Sequence, residues 1–351
     1  MKKIEAKKEY NIPIDYLRVL AILAVIFIHT TTKTLEVGNY DIQHLGWSLF
    51  LNQIFRFAVP LFFLISGFVL ELNYRSNLDY KTYFKKRISK ILIPYLFWSI
   101  FYNSIIFKFP IDLSFLYQLL AGDASYQLYF IPTLLIFYIL FPFIHHIKKF
   151  IVKRTIIIPL LIIEVILLSV DYYHHVFFLL TPIRIALLNF APFLLGIIAC
   201  HHEKAVLQFV KQKFWFLLLL LIILMGAVFY ESYLYYFFTK NLDAIYSQYR
   251  PLMLLYTLVL GSLLYFVFFT CRYYQKTILY LSRLSFFVFF VHVAILYLYW
   301  YTIGIRVVTA SHGKILEQLW YDPFVFLFVT CLSFAIAAIC HKIPKLRLLT
   351  G

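Results

Sequence analysis

The feature that most constrains this chain is a succession of apolar runs, each roughly 20 residues long, joined by short polar links. A run of that length cannot be hidden in a water-soluble core of this size; it is the length that crosses the hydrocarbon layer of a bilayer as a helix. The runs fall at about 12–32, 48–70, 91–108, 127–147, 155–172, 175–199, 214–236, 251–271, 284–303 and 321–340. They predict an all-α, polytopic membrane helical bundle of about ten transmembrane helices, with little left over for a soluble domain. Residues 1–351 are therefore read as a single domain. A hydrophobic content of 63% and a charged content of 14% agree with a chain solvated by lipid.

The net charge of +16 would suggest nucleic acid in a soluble protein. Here the basic residues follow topology instead. They gather at every second link: Lys2, Lys3, Lys7, Lys8 and Arg18; Arg75, Lys81, Lys85, Lys86, Arg87 and Lys90; Lys148, Lys149, Lys153 and Arg154; Lys204, Lys211 and Lys213; Arg272, Lys276 and Arg283; Lys342, Lys345 and Arg347. These make about 24 of the 32 basic residues, and the positive-inside rule then places both termini in the cytoplasm. No nucleic-acid partner is needed to explain the charge; the bilayer is the expected partner. The four cysteines form no disulfide or metal pattern, so no metal is expected. The N-terminal run lacks a small-residue cleavage site and is expected to remain as the first helix.

Ionisable residues inside the runs carry the functional signal, because each costs a few kcal/mol in lipid unless it is paired or hydrated. In the first run Arg18 and His29 are separated by ten residues. Eleven helical steps return to within about 20° of the same face and advance about 16 Å. A cation near the cytoplasmic mouth and an imidazole deeper in suit an anionic cytoplasmic donor whose reactive end reaches inward, with Arg18 holding phosphate and His29 handling a proton. The same spacing equally suits an arginine snorkelling to the interface and a histidine packed against a neighbour. Arg56, Glu164, Arg184 and His292 also lie within runs. A pairing of Glu164 with Arg56 or Arg184 would explain three of them structurally, and His292 suits packing as well as chemistry. Ser66 and Gly67 interrupt the second run, where small residues more often serve close helix packing than catalysis.

Six blocks in order carry a family resemblance: Arg18-x10-His29; RFAVPLFFLISGF from Arg56 to Phe68; FKKRISKILIPY from Phe84 to Tyr95; YQLYFIPTLLIFYILFP from Tyr126 to Pro142; FAPFLLGI from Phe190 to Ile197; and LSRLSFFVFFVH from Leu281 to His292. Together they resemble the acyltransferase-3 family of integral membrane proteins. Lys90 stands where that family usually has Arg, and the fourth block lacks the common His-Leu-Trp-Phe start. The resemblance implies transfer of an acyl group, acetyl first and succinyl second, from cytoplasmic acyl-CoA to a carbohydrate hydroxyl of an envelope or secreted glycan.

On this reading His29 is the general base, and Arg18, Arg87 and Lys90 contact the phosphates of the donor, with no permanently bound cofactor. Ser66, Gly67, Arg56, Glu164, Arg184 and His292 are the candidate supporting residues. Lys85 and Lys86 are read as ordinary cytoplasmic charge. The acceptor is a glycan or lipid-linked glycan, acylated directly or through a separate extracytoplasmic acyl-transfer partner, and the expected location is the bacterial cell membrane. The competing reading is a polysaccharide exporter or flippase in which the buried charges line a pathway without acyl chemistry.

Overall fold

The structure, a computed structural model, describes residues 11–39, 41, 43–75, 78–174, 179–239, 247–271, 273–344 and 346. It is all-helical, with no strand among the described residues. The helices used below are α1 (Ile12–Val37), α2 (Gly46–Phe55), α3 (Ala58–Tyr74), α4 (Tyr80–Arg87), α5 (Ile93–Ile100), α6 (Leu113–Ala121), α7 (Phe130–His146), α8 (Ile157–His174), α9 (Thr181–Leu187), α10 (Phe190–His201), α11 (Glu203–Gln212), α12 (Phe214–Thr239), α13 (Pro251–Thr270), α14 (Gln275–Tyr299) and α15 (Tyr321–Lys342).

Among the described residues, seven segments are long and apolar enough to cross a membrane, and the bent pair α9–α10 makes up to eight if it is one span. The expectation of ten is thus met in part. The segment expected at 91–108 belongs to a helical stretch in which π-helical turns at Ile88–Leu92 and Phe101–Ile106 flank α5. The segment expected at 127–147 is the shorter apolar helix α7, of 17 residues. The start of the run expected at 175–199, and the basic residues Lys2, Lys3, Lys7, Lys8, Arg272, Lys345 and Arg347, lie outside the described residues. So do residues 1–10 and 347–351, on which the expected position of the termini rests.

Helix α1 is the axis of the bundle. Asn11 starts it by accepting the Ile14 N–H at 3.3 Å, and Gly38 ends it by donating to Thr34 O. None of its residues is exposed, and it is covered by α2, α3, α13, α14 and α15. Only 17% of the most apolar window of α12 is buried, against 67% for α1, and the exposed Trp215, Phe216, Leu219 and Ile222 of α12 give it a lipid-facing side.

Two prolines set the breaks that shape the interior. Pro60 has no N–H to donate to Arg56 O, four residues back, so the helical ladder is interrupted between α2 and α3 and Arg56 sits at the break. Pro192 acts in the same way on Leu188 O, and α9 and α10 meet at 48°. The buried Ala191 N–H at that second break donates to Glu164 Oε2 at 3.3 Å. Glu164 therefore caps a broken helix rather than pairing with Arg56 or Arg184.

Helices α3 and α10 make the most extensive helix contact in the bundle. Glycines on both sides permit it: a Cβ at Gly67 would lie 2.0 Å from Phe193 O, and one at Gly196 would lie 2.0 Å from Leu64 O. Gly67 thus serves packing, and only its neighbour Ser66 reaches a cavity. Alanine at Gly67 or Gly196 should lower the thermal midpoint of the detergent-solubilised protein, at a cost of roughly 1–3 kcal/mol or more from overpacking. Alanine at Gly226, where a Cβ meets open space, is the control that should leave the midpoint unchanged or raised.

Candidate active site

Among the cavities formed by the described residues, two are lined by candidate site residues. The larger, about 580 Å³, is lined by His29, Arg56, Tyr126, Arg184, Gln248 and Trp300 among others. The smaller, about 270 Å³, is lined by Arg18, Ser66, Arg87, Lys90, Ser282 and Arg283 among others. Phe62, Phe130 and Phe289 belong to the walls of both. Arg18 and His29, eleven residues apart on one unbroken helix, therefore open into adjoining chambers.

In the larger chamber the His29 ring lies 5.3 Å, centroid to centroid, from the ring of His292 and 4.7 Å from that of Tyr126. His292 is fully buried, with Nδ1 3.0 Å from Val288 O. A ring nitrogen facing a carbonyl must carry the proton, so Nε2 is left as an acceptor, and it is buried without a hydrogen-bond partner. A second imidazole beside His29 is thus held in one tautomer. Arg56 is 4% exposed and donates from Nε to Asn52 Oδ1 at 2.8 Å and from Nη1 to Gln248 Oε1 at 3.4 Å. Arg184 makes a two-pronged pair with Asp171, at 2.9 and 2.7 Å.

In the smaller chamber Arg18 Nη1 donates to Asp15 Oδ1 at 2.9 Å and to Ser282 Oγ at 3.0 Å, and Ser282 Oγ donates to the same carboxylate oxygen at 2.5 Å. Asp15, one turn earlier on α1, therefore fixes the arginine against α14. The Arg87 guanidinium sits among three aromatic rings, 4.6 Å from Tyr138, 5.3 Å from Tyr83 and 5.9 Å from Tyr74. Lys90 lies in the π turn that follows α4; Lys85 and Lys86 are exposed and line neither chamber. Ser66 donates to Phe62 O at 2.8 Å, a bond within its own helix.

Sequence reasoning missed the polar network that holds the larger chamber. Asn52 Nδ2 lies 3.1 Å from Ile28 O and 2.9 Å from the hydroxyls of Thr31 and Thr32, gripping α1 on either side of His29. Its neighbour Gln53 donates to Asn52 Oδ1 at 3.2 Å, and Gln53 Oε1 accepts from Ser232 at 2.9 Å and Arg250 at 2.7 Å. Arg250, 0% exposed, also donates to Glu231 at 3.1 Å and to the Ser232 hydroxyl. An unbroken hydrogen-bonded path thus runs from Glu231 to the backbone of α1. Asparagine and glutamine in adjacent positions of an apolar run, at the price of desolvating two amides, were the available signal.

The acyltransferase domain family matches this chain over residues 11–341. Among curated proteins it is similar to the probable poly-beta-1,6-N-acetyl-D-glucosamine export protein of Staphylococcus aureus strain MSSA476, 28% identical over 137 residues, which are 38% of each chain. It is also similar to succinoglycan biosynthesis protein ExoH of Rhizobium meliloti, 32% identical over 91 residues, which are 24% of each chain. The alignments thus span well under half the length of these curated relatives. No solved structure matches the chain.

Arg250→Ala should destabilise the protein by about 3 kcal/mol, because it leaves the Gln53, Ser232 and Glu231 acceptors facing a cavity instead of a donor. Thermal unfolding in detergent checks this, and Arg250→Lys should recover only part of the loss.

Proposed function

The chain belongs to the acyltransferase family whose domain covers residues 11–341, and from that membership we propose that it moves a short acyl group from cytoplasmic acyl-CoA to a hydroxyl of an envelope or secreted glycan. The observation that carries this reading is the pair of adjoining chambers, a basic one entered by Arg18 and one containing His29, joined at a common aromatic wall.

The smaller chamber is the donor side. Arg18, Arg87 and Lys90 bring cationic donors to one cavity, and charge-assisted hydrogen bonds to phosphate are the strongest contacts such groups make. The basic clusters of the links support a cytoplasmic position for this side. The larger chamber is the acceptor side. Its mixture of aromatic rings, Tyr126, Tyr297 and Trp300, with amides, Gln127 and Gln248, suits a sugar, whose faces are apolar and whose rim is hydroxylated.

In the reaction an acceptor hydroxyl oxygen attacks the thioester carbonyl carbon while His29 takes the hydroxyl proton. The tetrahedral intermediate then collapses, the C–S bond breaks, and the proton held by His29 passes to the departing thiolate, giving the ester and free CoA. His292 supports this by offering a fixed acceptor nitrogen beside the His29 ring. Asn52 positions His29 through the backbone of α1. Acetyl is the acyl group proposed, with succinyl the alternative, and the acceptor is a glycan or lipid-linked glycan, reached directly or through a separate extracytoplasmic acyl-transfer partner. The bacterial cell membrane is the proposed location.

The staphylococcal relatives are named as export proteins, so a second reading is a glycan exporter without acyl chemistry. Mild alkaline release and mass spectrometry of ester-linked acyl groups separate the two. Cells lacking the protein and cells with normal amounts of His29→Ala should both lose one acyl species, by roughly 10²-fold or more for the variant, and His292→Ala should lose less. Unchanged esters with glycan retained on the cytoplasmic side would favour the exporter.

Arg18→Ala should raise KM for acyl-CoA by roughly tenfold with a smaller effect on kcat, measured as CoA release by the purified protein.

A further inference from the structure

Phe62, Phe130 and Phe289 are the residues common to both chambers, and they come from three helices, α3, α7 and α14. The ring centroids of Phe62 and Phe130 are 5.7 Å apart, and those of Phe130 and Phe289 are 5.5 Å apart. Those are distances at which phenyl rings touch, so no alkyl chain passes between Phe130 and either neighbour in this arrangement. The three rings line the boundary between donor and acceptor sides, joined through Phe130, with no ring contact between Phe62 and Phe289.

The surroundings of the rings differ. Phe130 is backed by Phe63 at 5.0 Å, which leads to Phe137 at 5.2 Å and, stacked on it at 4.5 Å, Phe193. Phe63, Phe137 and Phe193 are each 0% exposed, so Phe130 leans on a solid aromatic layer. All three rings adjoin free volume in both chambers; among the described residues Phe62 makes no ring contact besides Phe130, and Phe289 is further held by Phe290 at 5.4 Å. Phe289 also lies 6.2 Å from the ring of His292, which stacks on His29. Displacement of Phe289 is thus felt at the histidine pair.

We infer that Phe62, Phe130 and Phe289 form an aromatic partition that the thioester end of the donor must part, and that the width of this opening selects which acyl groups the enzyme transfers. The inference rests on the acyl-transfer reading above. A slender acyl group, acetyl or the linear succinyl, needs one ring to turn aside. A branched acyl group needs two rings displaced at once and loses the packing of both.

The test supplies the purified full-length protein in liposomes with equal concentrations of acetyl-CoA and isobutyryl-CoA and a glycan acceptor, and measures both esters by alkaline release and mass spectrometry. Phe62→Ala and Phe289→Ala should raise the isobutyryl-to-acetyl ratio by about tenfold or more, the range in which apolar pockets discriminate one carbon. Phe289→Trp should depress transfer of both groups. Phe238→Ala, at an exposed ring of α12 that lines neither chamber, should leave the ratio at the wild-type value. Phe62→Leu and Phe289→Leu, which keep an apolar side chain, should shift the ratio in the same direction and serve where the alanine variants do not accumulate. A ratio within twofold of wild type in the folded Phe62 and Phe289 variants, with acetyl transfer intact, overturns the partition and leaves the transfer reading standing. Absence of both esters with the wild-type protein overturns the transfer reading, and the partition with it.

Discussion

Lipid offers no hydrogen-bond partner, so a polar group placed within this bundle must find its partner in the protein. That constraint explains why the helix carrying His29 is held as it is. Asn52, Gln53, Ser232 and Arg250 are all buried, and each satisfies the next, ending on Glu231 at one side and on the Ile28 carbonyl at the other. In water such a chain would trade one set of hydrogen bonds for another at little net gain. In hydrocarbon, losing one member strands the others, so the network behaves as a unit and fixes the register of α1 against α2 and α12.

The same constraint gives the breaks in the helices their value. An interrupted ladder frees backbone groups, and each freed group has to be satisfied locally. At the α9–α10 bend the Glu164 carboxylate does this for Ala191, and between α2 and α3 the break presents Arg56 to the larger chamber. Part of the irregular backbone thus borders the cavities. The π turn containing Lys90 fits the pattern, since it brings a cation to the wall of the smaller chamber.

Much of this was legible in the sequence. Apolar runs of bilayer length mark the all-helical class, and the Arg18–His29 spacing places both residues on one helix because helical geometry is local. The six blocks marked the family. What escaped was everything decided by pairing across the chain. Gln53 and Arg250 bond over a separation of 197 residues, and nothing local to either names the other. Asp171 was overlooked as the partner of Arg184, and Glu164 was considered for that place, because which face of α8 meets Arg184 of α9 is set by tertiary packing and not by hydropathy. The partition phenylalanines were invisible for a simpler reason: a chain with 39 phenylalanines gives no reason to single out three.

The glycine crossing of α3 and α10 bears on the kind of machine this is. Backbones in direct contact on both sides leave no cushion of side chains across which the two helices could slide, so α3 and α10 travel together or not at all. Phe62 and Phe193 ride on that welded pair. Carriers that alternate access rock one half of the molecule against the other around a central site. Here the wall between the chambers is anchored to a seam built against shear. Such a body is better suited to working as a fixed sleeve, in which cargo advances by the turning of single side chains while the frame around them stands still.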